Sequence, residues 1–176
     1  MAEYKNPQEG HFIEGHFPNT GQSLLELHRL LSIFLSSKNM AALRTNYPGE
    51  GFDPIYKIQE VEEDEITRLL LNLAVTARII DDRQDRIFQK TESNCGQLEL
   101  TNKDNGDRTA EVLNLREACN KIIHAEKVRF DIEEDAGQDY FNPYVYLYGK
   151  QNKKNWKATL NIINFSKAYV SIVCHS

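Results

Sequence analysis

Three polar side chains stand four residues apart in the stretch Val112-Leu113-Asn114-Leu115-Arg116-Glu117-Ala118-Cys119-Asn120-Lys121-Ile122-Ile123-His124-Ala125: they are Arg116, Asn120 and His124. On a helix this spacing makes them neighbours climbing one side. Their types suit phosphoryl chemistry. An imidazole with an unperturbed pKa of about 6.5 can move protons at neutral pH. A guanidinium can hold phosphate oxygens at two points, and a carboxamide can orient either group. Such a set could cleave RNA through its own 2′-hydroxyl, requiring neither metal nor cofactor. A structural reading stands beside the catalytic one. Arg116 could pair with an acid, while Asn120 and His124 hold the helix end and the turn that follows.

A second group lies downstream. Tyr144, Tyr146 and Tyr148 alternate with Val145 and Leu147, so aliphatics facing the core would leave the rings together on the other face. Arg129, Lys157 and Thr159 could join them there. Aromatics interleaved with cations stack bases and hold phosphates, although they are also ordinary cross-strand neighbours. Lys150, Lys153, Lys154 and Lys157 crowd the adjoining turn. Residues 140–176 hold five Lys and neither Asp nor Glu, whereas the other 139 residues carry 16 basic against 26 acidic groups. With a net charge of −5, the chain does not coat nucleic acid by general counterion release. Exposed charges are screened beyond about 8 Å at physiological salt, so any contact must be local. Tyr144, Tyr146, Tyr148, Lys150, Lys153, Lys154 and Lys157 are the candidate nucleic-acid-binding residues.

Periodicity indicates the elements that position these groups. Residues 22–40 read as a helix capped by Ser23, with Leu24, Leu27, Leu31, Phe34 and Leu35 as its core face. Leu25, Leu30 and Ile33 widen that face, so the helix should be buried on more than one side with His28 packed. Residues 41–59 read as irregular around the Pro48-Gly49 turn. Acids at 62–65 open a second helix, as its dipole favours. It runs through Ile66, Leu69, Leu70, Leu73, Ala77 and Ile80 to near Ile87, and residues 81–86 read as a solvated, ion-paired end. Residues 97–100 could form a short strand. Residues 109–125 read as a third helix, whose apolar stripe is Val112, Leu115, Cys119 and Ile122. The period then changes to two. Val128, Phe130 and Ile132 mark one strand, 144–148 a second and 156–160 a third, before a last amphipathic helix.

The expected fold class is α+β: a helical bundle of about four main helices, with a small three-stranded antiparallel sheet before the last helix. One domain is expected, divided into an extended segment at 1–20, a helical body at 22–125, a β-meander at 126–160 and a C-terminal helix at 161–176. No apolar run approaches the roughly 18 residues of a membrane span, and the N-terminus does not read as a signal peptide. Cys95, Cys119 and Cys174 are far apart and form no C-x-x-C pair, which suits free thiols in the cytosol.

The run Asn120-Lys121-Ile122-Ile123-His124-Ala125 resembles the signature of the HEPN superfamily, Arg-x(4–6)-His near a helix end, with aliphatic residues before the His. Arg116 stands one position earlier than that spacing. The resemblance implies a helical bundle and a metal-independent endoribonuclease with Arg116, Asn120 and His124 as the catalytic set. It also implies a homodimer that completes the site across a two-fold interface, and a setting in bacterial defence or toxin–antitoxin systems. RNA is then the expected partner. The alternative is a non-enzymatic interaction protein, with the polar helix and the Tyr-Lys sheet forming a surface for a protein partner.

Overall fold

The computed structural model describes residues 19–44, 53–84, 88, 91–103, 106–152 and 154–174. The expected extended segment before residue 19, the Pro48-Gly49 turn, Ile87 and Lys153 lie outside the described residues.

The first helix, α1 (Thr20–Ala41), is capped by Asn19 rather than Ser23. The Asn19 side chain accepts from the amides of Gly21 and Gln22 at 2.9 and 3.3 Å. Ser23 is buried and meets the Tyr169 hydroxyl at 3.3 Å. Leu27, Leu30 and Phe34 point into the core, while Leu24, Leu25, Leu35 and His28 stay exposed. α1 is therefore buried along one face only, and His28 is not packed. Part of the stretch that reads as irregular forms α2 (Pro54–Gln59). Asp53 caps it, and Pro54 occupies the first turn, where its missing N–H costs nothing. α3 (Glu62–Arg83) carries four acids in its first turn and buries Ile66, Leu69, Leu70, Leu73, Ala77 and Ile80.

The remaining elements are β1 (Gly96–Asn102), β2 (Arg108–Val112), α4 (Leu115–Ile123), β3 (Lys127–Asp135), β4 (Gln138–Gln151), β5 (Lys154–Asn161) and α5 (Ile162–Tyr169). A π-helical turn, Val170–Cys174, follows α5. All five strands join one antiparallel sheet in the order β2-β1-β5-β4-β3. This corrects the expected helical bundle with a three-stranded sheet, although the fold remains α+β.

β1 covers the short strand expected at 97–100, whereas β2 and the place of β1 in the sheet are hidden by two features. Val112 reads as the first rung of a helical stripe, yet it lies 61% exposed in β2. The helix starts only at Leu115, where the Asn114 side chain accepts the Glu117 amide at 2.9 Å. β2 buries no side chain, so it carries no inside–outside alternation to detect. β1 pairs with β5, a partner far along the chain that local spacing cannot reveal. β3 and β4 are joined by the two-residue turn Ala136-Gly137, both at positive φ, which matches the twist of a tight hairpin.

Leu98, Val145, Leu147, Trp156, Ala158 and Leu160 line the buried face of the sheet. α1, α4 and α5 pack on that face, and α3 packs mainly across α1 and α4. The opposite face has no helix over it among the described residues. No described helix is long and apolar enough to cross a membrane.

Gly149 is paired with Trp156 across β4 and β5, and a Cβ there would run into the indole ring. Gly149→Ala should therefore cost about 1–3 kcal/mol, the usual range for overpacking a core. Urea titration of the two proteins measures this, and an unchanged midpoint would mean that the indole has room to move.

Candidate functional site

α4 brings Arg116 against the C-terminal end of α3. Its Nη1 pairs directly with Asp81 Oδ2, and its Nη2 lies 3.6 Å from Asp82 Oδ1. Both Arg116 and Asp81 are buried. The other Asp81 oxygen accepts the Phe88 amide at 2.9 Å. Arg78, on the same helix as the two acids, lies 3.7 Å from Asp81 and 3.3 Å from Asp82. Two guanidinium groups and two carboxylates thus balance one another at the α3–α4 contact. The expectation that residues 81–86 form a solvated end fails at Asp81. Its partner arrives from another helix, which a reading of α3 alone cannot show.

Asn120 and His124 go elsewhere. Asn120 Nδ2 donates to Glu117 Oε2 at 3.2 Å. Lys121 is buried beside it, with Nζ 3.0 Å from the other Glu117 oxygen and 3.3 Å from Gln151 Oε1. The same ammonium lies 4.8 Å from the centre of the Trp156 ring. His124 ends α4, its amide donating to the Asn120 carbonyl at 3.0 Å, and its side chain is exposed. Arg116, Asn120 and His124 therefore do not converge on a common cleft. Asp81, Arg78, Glu117 and Lys121 are the partners that sequence reasoning missed. The Glu117–Lys121 and Arg78–Asp82 pairs, each four residues apart on one helix, carry a local signal, whereas the Arg116–Asp81 pair joins two helices and carries none.

Cys95 and Cys119 are free and fully buried nearby. Burial pushes the Cys95 thiol up to about 12 and the Cys119 thiol higher still. Neither supplies a thiolate nucleophile at neutral pH.

The open face of the sheet is different. The register places Arg129 and Thr159 on either side of Tyr146, and Lys127 and Lys157 on either side of Tyr148. The Lys157 ammonium lies 5.1 Å from the Tyr146 ring centre, and the Arg129 guanidinium 5.6 Å from that of Tyr148. Tyr146 donates to Asp131 Oδ1 at 2.8 Å, which fixes its ring. That hydrogen bond, helped by partial burial, pushes the phenol pKa up. Tyr144 follows on the same strand and is exposed. Lys150 shares the face and lies 3.3 Å from Glu126, while Lys157 lies 3.6 Å from Glu99. Lys154 is three positions from Lys157 on β5, so it projects from the opposite face. The strands around Tyr146 and Tyr148 thus present Lys127, Arg129, Lys150 and Lys157 against Glu99, Glu126 and Asp131. The alternation of Tyr with Val and Leu made this grouping legible in the sequence.

No family model, curated protein or solved structure matches this chain.

Removing one partner of a buried ion pair leaves the other charge uncompensated. Arg116→Ala should therefore cost about 3–5 kcal/mol of stability. His124→Ala, at an exposed helix end, should stay within about 0.5 kcal/mol. Urea unfolding of both variants separates these roles, and comparable losses would contradict the assignment.

Proposed function

We propose that this chain is a non-enzymatic binding protein that holds single-stranded RNA on the open face of its sheet. The carrying observation is the adjacent pair of ring–cation contacts, Tyr146 with Lys157 and Tyr148 with Arg129. A ring gives a base something to stack on whatever its identity, and a neighbouring cation meets the phosphate between bases. Tyr146 is already held by Asp131, so less side-chain freedom is lost when a ligand docks. The cations gathered around the Tyr146 and Tyr148 rings supply a local attraction within an acidic chain.

RNA cleavage has less support. The Arg116 charge is matched by Asp81, and the other two members of the expected catalytic set point away from it. A setting in bacterial defence rests on the HEPN resemblance alone. The cytosol is the proposed compartment, because three free thiols stay reduced there. Self-association is proposed on the outer side of α3, where Leu71, Val75 and Ile79 recur every four residues and remain exposed.

Fluorescence anisotropy with a short labelled single-stranded RNA tests the main reading. Tyr148→Ala should weaken binding by about 1–3 kcal/mol, the worth of one stacked base. Replacing Arg129 and Lys157 together with Ala should reduce the slope of log affinity against log salt by about 1.4, since each lost phosphate contact removes about 0.7. Affinity and slope unchanged in both variants would overturn the assignment, and binding of a protein but no RNA would replace it with the interaction-protein alternative. Separately, light scattering should give twice the monomer mass for the wild type and the monomer mass for Val75→Glu. A monomeric wild type would end the dimer proposal without touching the RNA one.

A further inference from the structure

We propose that the cavity between the end of α1, α2, the start of α3 and the β3–β4 hairpin binds a small organic cation, an alkylammonium or guanidinium on an apolar stem, with Glu62 as its counter-ion. This site is independent of the open sheet face. The cavity measures about 250 Å³, and its walls include Tyr56, Gln59, Glu62, Ile132 and Phe141. Glu62 is only 7% exposed, and its Oε2 has no hydrogen-bond partner among the described residues. A buried carboxylate oxygen left in this way is costly, because water has been removed and nothing replaces it.

Arg44 does not fill that role. Its Nε donates to Gln59 Oε1 at 2.6 Å, and its guanidinium lies 5.1 Å from the Tyr56 ring centre. Burial raises the Glu62 pKa, while a hydrogen bond from Gln59 and the Arg44 charge act in the opposite direction. Glu63 and Asp139 also line the cavity, so acids outnumber the single arginine there, and an anionic ligand would be repelled. Glu60, the remaining acid, is paired with Lys57 at 2.7 Å.

The walls suit the stem of such a cation. Tyr56 and Ile132 are 47% and 52% exposed, so neither is consumed by the core. Drug-sized ligands occupy pockets of about 300–1,000 Å³, which makes this one suited to a single short chain. An ammonium or guanidinium carries donors and no acceptor, the complement of an unpartnered carboxylate oxygen.

Isothermal titration of the full chain with agmatine, which carries a guanidinium and an ammonium on one short stem, tests this. The expected result is saturable binding of one agmatine, with no saturable heat from butyrate. Glu62→Gln should weaken agmatine by about tenfold or more, the share of one charge-assisted hydrogen bond. Tyr56→Ala alters an exposed wall, so it should leave the fold intact and weaken binding severalfold; it serves as the test if Glu62→Gln does not fold. No saturable heat from agmatine would overturn the proposal. Equal affinity in Glu62→Gln, or in Tyr56→Ala, would overturn it as well.

Discussion

The contact between Arg116 and Asp81 joins the two parts of the helical layer. α3 packs mainly on α1 and α4, so its position over the sheet is set largely through those helices. Taking one guanidinium and one carboxylate out of water is costly unless every remaining hydrogen-bonding position is used. Here Asp81 also accepts the Phe88 amide, and Arg78 and Asp82 complete the charge balance. The same short helix buries Leu115, Ala118, Cys119 and Ile122, and reaches the sheet through Lys121 at Gln151 and Trp156. α4 thus ties α3 to the strands, with its polar residues spent on internal partners. The stretch that looked most suited to chemistry holds the architecture together.

One consequence concerns the sheet. With α1, α4 and α5 all on one side, the alternation of each central strand separates two kinds of side chain. Val145, Leu147, Trp156, Ala158 and Leu160 form the floor of the helical layer, and their packing fixes the register of β4 on β5. That register sets where Tyr146, Tyr148, Arg129 and Lys157 stand relative to one another on the far side. The proposed interface is therefore built on rigid elements, the favourable arrangement for a site whose groups must keep their spacing. The hydrogen bond from Tyr146 to Asp131 adds a second restraint across β4 and β3.

Different parts of this molecule were legible to different degrees. The strands at 128–132, 144–148 and 156–160 could be read because one buried face imposes a period of two. The core face of α3 could be read because burial on one side imposes a helical period. β2 has neither face buried, and Val112 happened to fall in step with Leu115 and Cys119, so propensity and spacing both favoured the wrong element. The four-residue spacing of Arg116, Asn120 and His124 matches a helix, which ends with His124 as its C-cap. Their fate depended on Asp81 and Glu117, and on the direction from which α3 approaches, none of which is periodic. The Tyr–cation face was legible in outline, since parity along a strand assigns faces. The same parity would have separated Lys154 from Lys157.

The uncovered sheet face, rather than the end of α4, is the proposed ligand surface. Its most direct test is residue-resolved NMR of the isotopically labelled chain during titration with a short single-stranded RNA. The largest shifts should fall on Arg129, Tyr146, Tyr148 and Lys157, with His124 and its neighbours unmoved. Shifts concentrated at His124 and Asn120, or none at all at saturating RNA, would contradict this assignment.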